Sequence, residues 1–433
     1  MKLSETNHKK IFLALVFALH ISAAYAQLTL EQCLEKAALH YPAVAQYALI
    51  DRSEEFNISN AARGWIPQIA ISGQATWQNE VATFPDIFKE MMAASGTDMP
   101  GLAKDQYKLA LDISQVIWDG GASRAGRKVA ESEAEEMRMS NYVDIYALND
   151  RVSDIFFGLL LLDANRETAL VGMQTLESNI RKLESLVRNG AALQSDMDLL
   201  EVEKITLNQS IDQNRAASEC YRTMLELFIG EKIGDRTLVK PDDRPIPDLT
   251  SNRPELKLLD AKLMTLDARE KQLKAVLSPK IVAFAQGFYG YPGFDMFGSM
   301  MNNDWRWNMI AGVKLQWDIN LLFTYNADRR KLDNSRRMIG VQKDIFQFNT
   351  ELQATRQVAE VNRVHNALEG DRKIAALRSS IRKTAESQFE KGVIDTPALL
   401  QRINEERAAL SKLHIHEIEL LQMEYKLKHT INR

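Results

Sequence analysis

The chain has 433 residues, 45% of them hydrophobic and 26% charged, so it carries enough apolar side chain for a packed core and is not disordered by composition. A net charge of −4 gives no bulk attraction to nucleic acid, and no nucleic-acid partner is expected.

Residues 1–26 have the pattern of a secretory signal peptide. Lys9 and Lys10 precede an apolar run from Ile11 to Ala18, and Ala24-Tyr25-Ala26 fits a small-x-small cleavage site. The run is too short to span a bilayer, and no later stretch has the length and apolarity of a transmembrane helix. Cys33 follows Gln32, away from the apolar run, and is not placed as a lipoprotein cysteine. Cys33 and Cys220 stand far apart in helix-like segments and read as two separate thiols.

After Pro42 a helical stretch runs to Pro67, where RGWIPQIAISGQATW begins to alternate. Ile69, Ile71, Gly73, Ala75 and Trp77 fall on one side, and Gln68, Ser72, Gln74 and Thr76 on the other. Period two marks a strand with one apolar and one polar face, expected over about 65–78. A second strand, about 107–118, sets Tyr107, Leu109, Leu111 and Ile113 against Lys108, Asp112 and Ser114. No proline follows from Gly121 to Arg188, and Leu148, Val152, Ile155, Leu159 and Leu162 step by four and three as in coiled-coil packing. Such a helix, of about 68 residues, would be about 100 Å long. It ends at Asn189-Gly190, and a shorter helix completes a hairpin over about 121–229.

The proline-rich connector 241–251 leads to the same order again. Pro254 and Pro279 are 25 residues apart, as are Pro42 and Pro67, 212 positions earlier. Strands are expected over about 279–291, with Val282, Phe284 and Phe288 on one side, and over about 305–318. In the latter, Trp305, Trp307, Met309, Ala311, Val313, Leu315 and Trp317 alternate with Arg306, Asn308, Lys314, Gln316 and Asp318. A long helix from about Asn326 ends at Lys391-Gly392, giving a hairpin over about 326–430. Either WDIN at 317–320 or LFTYN at 322–326 stands where the first half has WDGG. The domain reading is therefore a leader 1–26, a first repeat 27–240, a connector 241–251 and a second repeat 252–433.

All six tryptophans, Trp65, Trp77, Trp118, Trp305, Trp307 and Trp317, sit in or at the ends of these strands. Tryptophan collects at bilayer interfaces, and the strand lengths suit a tilted crossing. The four strands are accordingly expected in a transmembrane barrel against outer-membrane lipid. Four strands cannot close, and an open edge in lipid leaves backbone groups unpaired at several kcal/mol each. Eight strands from two chains would fill with side chains, whereas twelve from three leave a passage, so the barrel is expected to be a homotrimer.

The chain resembles the TolC-type outer-membrane efflux proteins along essentially its whole length after the leader. The resemblance rests on LTLEQCLEKAALHYPAV, ARGWIPQIAISG, IWDGGASRAGRKVA, RNGAALQSDMDLLEVE and EKGVIDTPALLQRINEE, in this order. It implies a mainly α fold in which internally duplicated long helical hairpins form an α-barrel, with four strands per chain in a shared trimeric β-barrel. It also implies a passive outer-membrane channel that docks through its helical tips on a periplasmic adaptor (membrane fusion) protein, itself coupled to an inner-membrane pump. By the same resemblance the tips form the periplasmic entrance, where an aspartate six residues after the tip glycine helps line the closed state. Gly190 and Asp196 fit, with Asp198 close by; six residues after Gly392 stands Ala398, Gln401 replaces a common acid, and Asp395 is that turn's only acid. Asp196 reads equally well as a helix N-cap.

No catalytic constellation is expected, and no cofactor or metal. His414 and His416 are two apart on a helix and point to different faces, and there is no HExxH, phosphate loop or nucleophile elbow. The alternative to a conduit is a soluble periplasmic coiled-coil adaptor or scaffold. Such a protein would normally have one hairpin, not two with two strand pairs.

Overall fold

The computed structural model describes residues 27–432 except 235 and 243–250. The expected leader and most of the connector 241–251 lie outside the described residues. In chain order the elements are β1 (Gln27–Leu28), α1 (Leu30–His40), α2 (Ala45–Ala62), β2 (Gln68–Trp77), α3 (Asp86–Ala94), β3 (Asp105–Trp118), α4 (Ala122–Tyr146), α5 (Leu148–Arg188), α6 (Gln194–Ile229) and β4 (Thr237–Leu238). There follow α7 (Pro254–Val276), β5 (Lys280–Tyr291), α8 (Met296–Met301), β6 (Arg306–Gln316), α9 (Asn320–Glu390) and α10 (Thr396–Ile431). Helix, strand, short helix, strand, long helix and returning helix thus occur twice. Among the described residues no helix is long and apolar enough to cross a membrane.

The chain divides into two compact units. The first comprises residues up to Tyr47, Met139–Leu258 and Gln342–Arg433. Its main core joins Leu30 and Cys33 of α1, Val152, Phe156, Phe157 and Leu159 of α5, Leu225 and Ile229 of α6, and Ile418 of α10. Phe156 and Phe157 are fully buried, a contribution of roughly 2–3 kcal/mol each. Of the stride that predicted coiled-coil packing, Leu148, Val152, Ile155 and Leu159 are buried and Leu162 is half-buried. Thr29 caps α1: its hydroxyl accepts from the Gln32 backbone N–H at 3.3 Å, and the Gln32 side chain accepts from Thr29 N–H at 3.2 Å. Residues Gln27 and Leu28 of β1 pair in parallel with Thr237 and Leu238 of β4.

The first long helix is not continuous. Its ladder breaks at Ala147, between α4 and α5, although Ala147 stays right-handed (φ −63, ψ −15). Beside the break the Tyr146 ring stacks on His429 with centroids 4.3 Å apart, and its hydroxyl donates to the His429 carbonyl at 2.6 Å. The second long helix, α9, runs unbroken for 71 residues.

The second unit comprises Ala48–Arg138 and Leu259–Val341. It holds an antiparallel four-stranded sheet in the order β2-β3-β5-β6. At the strand-to-helix exits the two halves agree. Asp119 accepts from Gly121 N–H at 2.9 Å and Ser123 N–H at 2.6 Å, and Asp318 accepts from Asn320 N–H at 3.1 Å. The WDIN segment is thus the counterpart of WDGG, and α9 begins six positions before the expected Asn326.

Candidate functional site

Register decides what each face of the sheet carries. Ile69 faces Ile113, Ile71 faces Leu111, and Ala75 faces Tyr107 across β2 and β3. Leu109 faces Tyr289, which in turn faces Trp307, while Gly287 faces Met309 and Ile281 faces Leu315. Residues directly opposite one another share a face, so this is one continuous apolar surface. It is open to the outside: Ile71 is 76% exposed and Met309 75%. Among the described residues it is covered only at its loop end, where Leu102 and Met300 pack on Tyr291.

The tryptophans mark the two margins of that surface. Trp77, Trp305 and Trp307 lie where the strands meet the loops, and Trp65, Trp118 and Trp317 where they meet the helices. At the loop margin Tyr289 contacts the rings of Trp305 and Trp307 at 5.4 and 5.3 Å, and Tyr107 stacks on Trp305 at 5.9 Å. At the helix margin the Trp317 indole N–H donates to the Leu277 carbonyl at 3.0 Å. By strict alternation Trp118 would fall on the polar face with Ser114 and Val116. A bulge between Val116 and Trp118 sets Trp118 opposite Ile281 instead, on the apolar face. Between Tyr107 and Trp118 the strand rises about 36 Å, which at a tilt of about 45° is about 26 Å of height, close to an outer-membrane apolar band.

The other face is polar and more sheltered. Lys108 donates to the Gln286 side chain at 2.9 Å, and Gln286 in turn donates to Asp112. The Lys108 ammonium lies 4.4 Å above the Phe288 ring, and Lys314 lies 5.9 Å from that of Phe284. Val282, Phe284 and Phe288 thus share the face of Lys108 and Asp112, since Ser114 pairs with Phe284 and Ala110 with Phe288. An apolar triplet on one side of a strand does not by itself identify the continuous apolar face; pairing does.

At the far ends of the hairpins, within the first unit, the two turns are alike. Gly190 and Gly392 both have φ of 71°, a conformation that glycine adopts without strain. Gly190 N–H donates to Val187 and Ala191 N–H to Leu186, at 3.0 and 2.8 Å. Gly392 N–H donates to Phe389 and Val393 N–H to Gln388, at 3.0 and 2.9 Å. Both are Schellman motifs. The returning helices then start differently. Asp395 is the N-cap of α10, its carboxylate accepting from Ala398 N–H at 3.0 Å. Leu193 holds the N-cap position of α6, and Asp196, three residues on, accepts from Leu193 N–H at 3.1 Å. Asp196 is therefore not the N-cap; it satisfies the same helix end from the third position. Asp198 accepts from the Gln194 side chain at 3.2 Å, and Gln401 donates to Glu405 at 3.1 Å. The two tips share one core of Leu176, Ile180, Leu183, Leu200, Ala385, Phe389, Leu399 and Ile403. Lys182 and Glu390 pair between the outgoing helices.

No model of a known protein family and no curated protein matches the sequence. Solved structures do. The chain is similar to the outer-membrane channel OprN, with a TM-score of 0.64 at 15% identity over 93% of this chain and 89% of that one. It is similar to the outer-membrane protein VceC of Vibrio cholerae, with 0.62 at 14% over 93% and 95%. For the open state of the Neisseria gonorrhoeae channel MtrE the values are 0.63 at 11% over 93% and 88%. The chain has the TolC-type outer-membrane channel fold.

Other polar groups of the first unit are structural ties. His414 Nδ1 meets the Thr168 hydroxyl on α5 at 3.0 Å, whereas His416 Nδ1 meets Asp371 on α9 at 2.5 Å. The two-residue spacing thus sends the rings to different neighbours. Asp371 is buried, and His416 and Lys412 together hold its carboxyl below the usual range against the opposing effect of desolvation. Cys33 is buried and Cys220 exposed, both as free thiols. The polar-face cluster of Lys108, Gln286, Asp112 and the two phenylalanines is what sequence reading missed as a unit. Its members alternate correctly within each strand, but their meeting depends on β3 pairing with β5, a partnership across the two halves.

Proposed function

We propose that this chain is the outer-membrane channel of a tripartite efflux or secretion system, a passive trimeric conduit from periplasm to exterior with no chemistry or cofactor of its own. The observation that carries the reading is the sheet face of Ile69, Ile71, Leu111, Met309 and Leu315 bounded by two tryptophan rows. Left in water, that surface would be an aggregation hazard, and the edge strands β2 and β6 would template further pairing. In an outer membrane, sharing of four strands from each of three chains covers the first and closes the second. The repeats 27–240 and 252–433 would then each give two strands and one hairpin to the assembly.

On this reading Lys108, Asp112, Gln286 and Lys314 face the lumen. The tips with Gly190, Asp196, Asp198, Gly392, Asp395 and Gln401 form the periplasmic entrance. Exposed Leu193 and Val393 at the two turns offer apolar contacts there for a periplasmic adaptor protein, through which an inner-membrane pump supplies cargo and energy.

The test is native mass spectrometry of the protein extracted from membranes in detergent. Three chains per particle, recovered only from the membrane fraction, are expected. A soluble monomer recovered without detergent would overturn the reading.

A further inference from the structure

The loop joining β5 to β6 does not project away from the sheet. It folds back over the polar face. Phe294 sets its ring edge-on against Phe288, with centroids 5.1 Å apart and planes at 86°. Phe288 is a polar-face residue, and its other side lies under the Lys108 ammonium. Phe294 N–H donates to the side-chain oxygen of Asn308 at 2.7 Å, and Asn308 is the polar-face partner of Phe288 on β6. Arg306, also on that face, pairs with Asp295 at 3.1 Å, and Asp295 caps the short helix α8 by accepting from Gly298 N–H at 2.9 Å. There is no slack in the fit: a Cβ on Gly293 would lie 2.9 Å from the Asn308 side chain.

The loop between β2 and β3 is tied to the same piece. Gly101 N–H donates to the Met300 carbonyl at 3.1 Å, Ala103 N–H to the Tyr291 hydroxyl at 2.8 Å, and Phe84 and Phe297 contact at 6.1 Å. Yet Phe294, seated against the polar-face ring of Phe288, remains 55% exposed. A loop that served only to connect two strands would not need to anchor a phenylalanine above a polar surface.

We propose that the β5–β6 loop is a size filter at the loop end of the passage, with Phe294 narrowing the lumen and Asn308, Arg306 and Phe288 holding it there. The inference rests on the conduit reading, in which the polar face lines the passage. Three copies would bring three such rings over one opening, an apolar constriction of the kind that limits large or strongly hydrated solutes.

The test is access from outside an intact double-membraned bacterial host. Ser114→Cys places a thiol on the polar face at the helix end of β3, behind the filter, in a Cys220→Ser background; Ile113→Cys reports the opposite face. Cells are treated with a small charged maleimide and with a bulky polymer-linked one. With the native loop, Ser114→Cys should react with the small reagent and poorly with the large one. Phe294→Ala should raise the large-to-small rate ratio roughly tenfold. Phe294 is 55% exposed, so its truncation spares the core, and Asn308→Ala, which releases the loop without removing the ring, should act in the same direction. An unchanged ratio in both variants would overturn the filter. If no reagent reaches Ser114→Cys, or reaches Ile113→Cys equally well, the conduit reading fails and the filter with it.

Discussion

Arg138 clasps Asp51 through two hydrogen bonds to one carboxylate oxygen, at 3.1 and 2.7 Å, and Arg336 clasps Asp267 in the same way at 3.1 and 2.9 Å. Each arginine also takes an acid one helical turn further on, Glu54 in the first case and Glu270 in the second. Two halves with little sequence in common have kept one clamp, which holds α4 to α2 and α9 to α7.

If these clamps are equivalent, Arg138→Ala and Arg336→Ala should cost similar amounts, about 1–2 kcal/mol each, read as a lowered thermal midpoint. The pH dependence has a defined sign. Lys274 and then Arg336 pull the Glu270 carboxyl down from 4.5 to about 2. A depressed carboxyl stabilises the fold above its ordinary value and loses that contribution as pH falls through the lowered one. The gap between wild type and Arg336→Ala should therefore persist at neutral pH and close between pH 4.5 and 2. No gap at neutral pH would show that the clamp is idle.

Ile71 and Gln74 lie on opposite faces of β2. Ile71→Lys should cost about 2–4 kcal/mol of assembly in the membrane if it faces lipid near mid-depth, whereas Gln74→Lys should be nearly silent. The amount of detergent-extracted oligomer measures both. Equal losses would count against a lipid face on this side of the sheet.

At the tips, Asp395→Ala removes the side-chain cap of α10 and should cost about 1 kcal/mol, seen as faster amide hydrogen exchange over residues 396–400. Asp196→Ala should have a smaller effect on α6, because Asp196 takes only the Leu193 N–H and the Asp196 N–H is already bound to the Leu193 carbonyl at 3.1 Å. The reverse order would mean that Asp196 carries more of its helix end than the geometry assigns to it.

Burial pushes the Cys33 thiol up to about 12, outweighing the nearby Lys36. In the folded protein at neutral pH a maleimide should therefore label Cys220 and leave Cys33 untouched until denaturant is added. Mass spectrometry of peptides from native and unfolded samples checks this. Rapid labelling of Cys33 in the native state would show that the contact of α1 with α5 and α6 opens readily.

The sequence by itself determined the kinds and order of the four long strands and of the helical hairpins, though not the short helices α3 and α8 or the β1–β4 pair. Alternation and helical stride are local properties, and the prolines at 42, 67, 254 and 279 punctuate them twice at the same interval. The tip turns were legible for the same reason, since Gly190 and Gly392 are required by a local backbone conformation. What only the tertiary structure decided depends on partners distant in the chain. The bulge at Val116 and Trp118 moves a tryptophan to the other face, and no alternation pattern within β3 announces it. The place of Val282, Phe284 and Phe288 follows from register against β3, because a shift of one residue would exchange the faces. The break at Ala147 lies where the contacts of Tyr146 with His429 cross 283 residues. The inward fold of the β5–β6 loop rests on Asn308 and Phe288, which meet only once the sheet has formed.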